Sequence, residues 1–487
     1  MRRLDCISMI YCRLCHFGRS LATVLSTALA VQVSAADPQT AAGSAAAPAT
    51  LAQPGSGPVG EVWTLEHALA RAMEANPDLM AAKFEVERQE GARLQVTARL
   101  LPTVTASAGL NQREQGLVDT PPSQRTNPAP PSPDTAVALF GYDMNIEVRQ
   151  VVFDGLSSWN QAKRQRLVSK QAYLSLLGSV AQTVSLVRQG FDAILLRTAG
   201  VAAEQRRVEE NVQLVEWTSR KNSAGEVPEF ELLRAEAELE GARADLAEAV
   251  RVLGQAEQSF RRLLQISDVA GPISLAGKFE PRPFSLPLDQ AIGLARANRP
   301  DLQSAALAVE AARRNQAADA GGYLPKVEAF ASYGARSSYY NSATQLSGWT
   351  YGVLGQWNLF EGGAARGRRM ALRADRRGAE TKLAETEQGI VSHLYELYQG
   401  LEQARVAMEA HGKSVSLSSR ASRDARRQYD VGSANLEQVL QAGMTYRRAE
   451  TRLNEAVYNY NSIVAQIEQS VGGQVSDSLK VPDTWKP

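Results

Sequence analysis

The sequence is written twice, and a chain that repeats itself on this scale folds as two like halves. Leu65, Ala68, Ala72, Pro77-Asp78-Leu79 and Leu101-Pro102 recur without gaps as Leu288, Ala291, Ala295, Pro300-Asp301-Leu302 and Leu324-Pro325. Phe153-Asp154-Gly155 returns as Phe360-Glu361-Gly362, and the copies then stay in register through Gly225 and Gly432 to Leu233 and Leu440. The unit is about 200 residues, far longer than the repeat of a solenoid, so it is a duplicated domain half. The shift between copies is 223 residues in the first block and 207 in the second. The length difference therefore falls between Leu-Pro and the Phe-acidic-Gly motif. Residues 113–139 lie there, with six prolines among Ser, Thr, Asn and Gln. That composition builds no core, and a long exposed loop is expected. The expected boundaries are 61–280 for the first repeat, 281–475 for the second and 476–487 for a tail.

In 487 residues, 44% are hydrophobic but only 6% aromatic. That balance favours long, closely packed helices over a thick globular interior. A formal net charge of +1 gives no general attraction to nucleic acid. Residues 1–36 read as an export signal: Arg2 and Arg3 open a basic region, 21–33 is apolar, and Val33-Ser34-Ala35 supplies small residues for cleavage. Met9 is an alternative start. Cys6, Cys12 and Cys15, the three cysteines, all precede the apolar stretch, so the exported chain has neither disulfide nor thiolate chemistry. Residues 37–60, rich in Ala, Pro, Gly and Ser, read as a flexible leader. No later segment has the run of about 18 apolar residues that a membrane-spanning helix needs.

Between each Leu-Pro and each Phe-acidic-Gly the apolar period falls to two, the mark of a two-faced strand. Tyr142, Met144, Ile146, Val148 and Val152 alternate with Asp143, Asn145, Glu147 and Arg149. In the second copy Trp349, Tyr351, Val353, Trp357 and Leu359 alternate with Thr350, Gln356 and Asn358. Upstream, Val104, Ala106, Ala108 and Leu110 alternate with Thr103, Thr105, Ser107 and Asn111. Their counterparts are Val327, Ala329, Ala331 and Tyr333, a run interrupted by Phe330. Each segment has about 10 residues, enough for a tilted strand to cross a bilayer, and a soluble antiparallel sheet would show the same alternation. Four strands cannot close, and an open sheet edge cannot sit in lipid. If these strands span a membrane, several chains pool them.

Residues 156–222 and 363–429 are helix-compatible throughout, each about 100 Å long at 1.5 Å per residue. Leu232, Leu239, Leu246, Leu253 and Phe260 then recur every seven residues, interleaved with Ala235, Ala242, Ala249, Ala256 and Leu263. In the second copy the seam is Val439, Ala442, Tyr446, Ala449, Leu453, Ala456, Tyr460 and Ile463. A sustained heptad predicts coiled-coil packing. Gly225 and Gly432 mark the turns between these helices as hairpin tips.

Asn-Pro-Asp-Leu, Leu-Pro before a strand, Phe-acidic-Gly after its partner, the Tyr429-to-Gly432 tip and the duplication together resemble the TolC-like outer-membrane efflux proteins, over residues 62–472. The resemblance implies a mainly α fold with a small β part: duplicated long-helix hairpins forming a trimeric α-barrel, and four strands per chain pooled into a twelve-stranded transmembrane β-barrel. It implies a homotrimer in outer-membrane lipid, extending into the periplasm. Its role would be the passive exit duct of a tripartite efflux pump or type I secretion system, docked to a periplasmic adaptor and an inner-membrane transporter. In that frame Asp143, Asn145, Glu147, Arg149, Thr350, Gln356 and Asn358 line the barrel lumen. Tyr142, Met144, Ile146, Val148, Trp349, Tyr351, Val353 and Trp357 face lipid. Gly225, Glu231, Arg234, Tyr429, Gly432, Glu437, Gln438 and Gln441 form the periplasmic entrance. The resemblance departs at that entrance: Gln438 and Gln441 stand where well-known members carry acidic residues, and Ala434 where they carry a basic one. Weaker cation selectivity follows, unless the glutamines only cover a solvated helix face.

No catalytic, metal or cofactor constellation is expected. His67, His393 and His411 lack metal-ligand partners at helical spacing, and nucleophile-elbow, HExxH and phosphate-loop motifs are absent. The run Arg366, Arg368, Arg369, Arg373, Arg376 and Arg377, with Lys163, Arg164, Arg166 and Lys170 in the first copy, fits anionic head groups or a solvated helix face. The rival functional class is a soluble periplasmic coiled-coil scaffold or adaptor.

Overall fold

A computed structural model describes residues 62–113, 139–266, 273–277, 279–337 and 345–472. The expected signal, leader and tail, and nearly all of the 113–139 insert, lie outside the described residues. Everything below belongs to one compact unit, Ser56–Pro487.

The first repeat runs β1 (Val62–Trp63), α1 (Leu65–Ala75), α2 (Pro77–Ala98), β2 (Thr103–Arg113), β3 (Leu139–Phe153), α3 (Ser157–Ser223), α4 (Glu229–Leu264) and β4 (Ser274–Leu275). The second runs α5 (Leu288–Asn298), α6 (Pro300–Gly321), β5 (Lys326–Ser337), β6 (Gln345–Gln356), α7 (Ala364–Asp430) and α8 (Leu436–Ser470). Asn76 explains the first motif. Proline after it holds its backbone extended at ψ 124°, which ends α1. Its Oδ1 then accepts from the backbone N–H of Asp78 (2.9 Å) and Leu79 (3.2 Å), which starts α2.

The long helices α3 and α7 have 67 residues each. Near the strands α2, α3, α6 and α7 lie side by side; farther along, α4 packs on α3, and α8 on both α3 and α7. Every predicted heptad position of α4 and α8 is buried or half-buried, so the seam read from sequence is the packing seam. A polar clasp ties the segment between the repeats to two helices. Arg282 donates to both carboxylate oxygens of buried Asp192 on α3 (3.1 and 3.0 Å), and its backbone N–H donates to Asn461 Oδ1 on α8 (3.0 Å). Asn461 Nδ2 in turn donates to the Glu280 carbonyl (3.1 Å).

Each strand-to-helix turn needs left-handed backbone, at Gly155 (φ 67°) and Leu156 (φ 66°) and again at Gly362 (φ 60°) and Gly363 (φ 90°). Gly155 also lies backbone to backbone against Gly321 at the end of α6, with no room for a Cβ on either. This contact between the repeats is invisible to spacing arguments.

Strand limits differ from expectation at one end. β6 stops at Gln356, so Trp357 and Asn358, expected to continue its alternation, stand beyond the strand. Trp357 Nε1 instead donates to the Tyr323 carbonyl (3.0 Å), and Asn358 Nδ2 to Glu361 Oε1 (3.3 Å). In a single chain the outer edge of β6 has no partner to hold it extended. No helix among the described residues is long and apolar enough to cross a membrane.

Candidate functional site

β2, β3, β5 and β6 form one antiparallel sheet in that order. Directly opposed residues share a face, and the register assembles two faces of opposite character. Asp143, Asn145, Glu147 and Arg149 on β3 oppose Gly109, Ser107, Thr105 and Thr103 on β2, while Thr350 and Gln356 on β6 oppose Ser332 and Lys326 on β5. Asn111 Nδ2 donates to Asp143 Oδ1 (3.0 Å), and Arg149 pairs with Glu147. Phe330, which interrupts the alternation in sequence, lies on this polar face over Gly352, where an added Cβ would meet its ring at 3.1 Å.

Tyr142, Met144, Ile146 and Val148 share the other face with Ala331, Tyr333, Trp349, Tyr351 and Val353. The Tyr333 and Trp349 rings pack at 5.1 Å between centroids. This apolar face is open: Ile146 is 55% exposed, Val353 70% and Tyr351 80%. Contiguous apolar surface of this kind marks a site of contact with lipid or protein. β2 and β6 each have one unpaired edge.

The second region lies at the far ends of the long helices. Gly225 (φ 73°) and Gly432 (φ 76°) close the α3–α4 and α7–α8 turns in left-handed backbone. Backbone bonds from Glu226 N–H to the Lys221 carbonyl (2.9 Å) and from Ser433 N–H to the Gln428 carbonyl (2.8 Å) seal them. The two tips are joined. Leu214, Ala235, Tyr429, Leu436, Val439 and Leu440 form a buried cluster, with Ala434 packed beside it. Tyr429 Oη donates to Glu231 Oε2 (3.3 Å), and Arg234 on α4 is ion-paired with Glu437 on α8. Burial pushes the Tyr429 hydroxyl pKa up, and the nearby Glu231 carboxylate adds to the rise. The phenol thus stays a proton donor.

Of the predicted entrance residues, Gln438 and Gln441 are both exposed on α8, and Gln438 is also engaged in the helix cap. Gln438 and Asn435 form a reciprocal capping box at the start of α8, with bonds of 3.0 and 3.2 Å. Sequence reasoning missed Trp217, whose ring lies 4.6 Å from that of Tyr429, and Lys221, whose Nζ stands 3.9 Å from the Trp217 centroid. Their spacing of one helical turn was the available signal. Among the described residues no group of His, Cys, Asp and Glu could hold a metal ion.

A family model described as "Outer membrane efflux protein" matches residues 68–265 and 291–473. The two stretches open at Ala68 and Ala291, equivalent residues of the two copies. Direct comparison with curated protein sequences gives no match. Among solved structures the chain is similar to the Campylobacter jejuni CmeC outer membrane channel, with 18% identity, TM-score 0.72, and 85% of this chain and 87% of that one covered. It is similar to the outer membrane protein VceC of Vibrio cholerae, with 14% identity, TM-score 0.70, and 84% and 96% covered. The open state of the Neisseria gonorrhoeae MtrE outer membrane channel gives 18% identity, TM-score 0.64, and 86% and 91% covered. The fold is that of these channels.

Proposed function

This chain belongs to the outer membrane efflux protein family, and we propose that three copies of it assemble one exit duct docked to a periplasmic adaptor and an inner-membrane transporter. It is an outer-membrane channel protein that reaches into the periplasm, the exit duct of a tripartite efflux pump or type I secretion system. The relatives it resembles are channels, and the duct is read as passive, with energy supplied by the transporter.

The observation that carries the trimer is the sheet with two free edges and one exposed apolar face. Within the chain, β3 of one repeat pairs with β5 of the other. The same step applied across chains pairs β6 of one copy with β2 of the next, and closure leaves no edge in lipid. Shifting the β3–β5 register by the repeat offsets sets Val353 opposite Leu110. It also carries β6 onward, with Trp357 opposite Ala106 and Asn358 opposite Thr105. In this assembly Asp143, Asn145, Glu147, Arg149, Thr350, Gln356 and Asn358 line the lumen. Tyr142, Met144, Ile146, Val148, Trp349, Tyr351, Val353 and Trp357 face lipid. The joined tips form the periplasmic entrance, with Glu231–Tyr429 and Arg234–Glu437 as its internal ties.

Fractionation tests the reading. Trimer bands that survive mild detergent and dissociate on heating are expected in the outer-membrane fraction. Release of monomer by osmotic shock would sink it.

A further inference from the structure

Where β3 delivers the chain into α3, beside the end of α2, lies a cavity of about 330 Å³ lined by Arg99, Val152, Phe153, Asp154, Leu156 and Trp159. Its volume falls in the range of sites for small organic molecules, about 300–1,000 Å³. The apolar lining is open: Val152 is 63% exposed and Leu156 59%. Phe153 opposes Val327, which places it on the apolar face of the sheet. The cavity therefore continues that face toward the helices.

One cation, Arg99, lines it, and a second, Lys163, stands against the lining Trp159. Arg99 Nη1 donates to Gln161 Oε1 (3.1 Å), and Lys163 Nζ stands 3.4 Å from the centroid of the Trp159 ring. Neither has a carboxylate partner among the described residues. The one acid in the lining, Asp154, is turned to the helix, where its Oδ2 accepts the Ser158 backbone N–H (2.8 Å).

The other repeat shows the same junction without the cavity's chemistry. There Arg368 holds the place of Gln161 and pairs with Asp319 and Glu361, which hold the places of Val96 and Asp154. Arg366 and Met370 stand where the first repeat has Trp159 and Lys163. One repeat closes its junction with an internal ion pair; the other leaves an apolar slot, an aromatic rim and two cations without a carboxylate partner among the described residues. An aromatic and cations at the edge of an apolar face are the groups that meet phospholipid head groups.

We propose that this cavity holds an acyl chain of an anionic glycerophospholipid whose phosphate lies between Arg99 and Lys163, one lipid per chain. The proposal rests on the reading of the apolar face as lipid-facing. The test uses full-length trimers reconstituted in nanodiscs of phosphatidylglycerol and phosphatidylcholine in equal parts, transferred to detergent and examined by native mass spectrometry. Wild-type trimers retain phosphatidylglycerol in preference. Arg99→Gln with Lys163→Gln reduces that preference about thirtyfold, the worth of two head-group cations, and Trp159→Ala lowers retention of both lipids. Arg368→Gln, at the ion-paired junction, leaves the preference unchanged. Intact trimers with no preference, or a double variant that retains lipid like the wild type, overturn the lipid site alone. Failure to recover trimers from the bilayer overturns the channel reading beneath it.

Discussion

Arg234 on α4 and Glu437 on α8 form an ion pair that ties the two hairpin tips of one chain together. Their side chains are 34% and 55% exposed, so the pair contributes about 0.2–1 kcal/mol. In the proposed assembly, where the tips form the entrance, a tie of that strength would hold it and let it be opened. Glu437→Arg should raise channel open probability up to about fivefold, and Arg234→Glu added to it should restore the wild-type value. Both effects should shrink at high salt in planar-bilayer recordings, because exposed charges are screened.

Tyr429 tests packing against hydrogen bonding at the same tip. Removing only its hydroxyl with Tyr429→Phe gives up the bond to Glu231 at about 1 kcal/mol or less. Tyr429→Ala also empties the buried cluster with Leu436 and Leu440 and costs about 3–5 kcal/mol. Limited proteolysis should cut the tips rapidly in the alanine variant and slowly in the phenylalanine one. Equal rates would contradict the division.

Gln441 and Gln438 are expected to behave differently although both are amides near one tip. Gln441→Asp puts a charge on an exposed position outside the capping box and should raise cation selectivity. Gln438→Asp shortens the side chain that caps α8 and should act mainly by loosening the helix start, at about 1 kcal/mol. Reversal potentials in asymmetric potassium chloride separate the two; equal shifts would refute the distinction.

The β6–β2 register between chains can be read with cysteines, since the chain has none beyond Cys15. Val353→Cys with Leu110→Cys should oxidise to a covalent trimer, as directly opposed strand positions suit a disulfide. Val353→Cys with Ala108→Cys should cross-link far less. The reverse ranking on non-reducing gels would exclude this register.

Asp192 gives the chain a pH dependence whose sign is fixed by burial. Desolvation holds its carboxyl above the ordinary range, against the opposing pull of Arg282 and Arg188. A carboxyl with a raised pKa in the folded state binds its proton more readily there than in the unfolded chain. Its contribution is full below the unfolded pKa and lost as pH rises through the folded one. The stability of the wild type relative to Asp192→Asn should therefore grow as pH falls from neutral toward 4. Melting curves in detergent across that range would show it, and a constant gap would refute it.

The repeat, the heptad seam and the two-faced strands were legible because each is periodic, and period survives in sequence whatever the neighbours. Leu232 through Phe260 could be placed at the interface from spacing alone. Gln438 could not be told from Gln441, because the difference is a cap made by Asn435. The clasp of Asp192, Arg282 and Asn461 joins segments far apart in sequence, and no local pattern announces it. Gly321 reads as one glycine among 36; only the fold reveals that Gly155 needs it bare. Trp357 and Asn358 carry strand alternation but lie outside the strand of a single chain, where the edge that would hold them is vacant.

The smallest element of the fold sets a schedule for making it. β1 pairs with β4 in parallel, Val62 beside Ser274 and Trp63 beside Leu275, and Ala276 N–H donates to the Trp63 carbonyl (2.9 Å). The strand at the beginning of the first repeat thus waits for the one at its end, with both helices of the hairpin made between them. Such distant closure is slow. A chain emerging from its amino terminus carries Trp63 without its strand partner until more than half the polymer has been delivered, so the first strand to arrive is the last of its repeat to find its place.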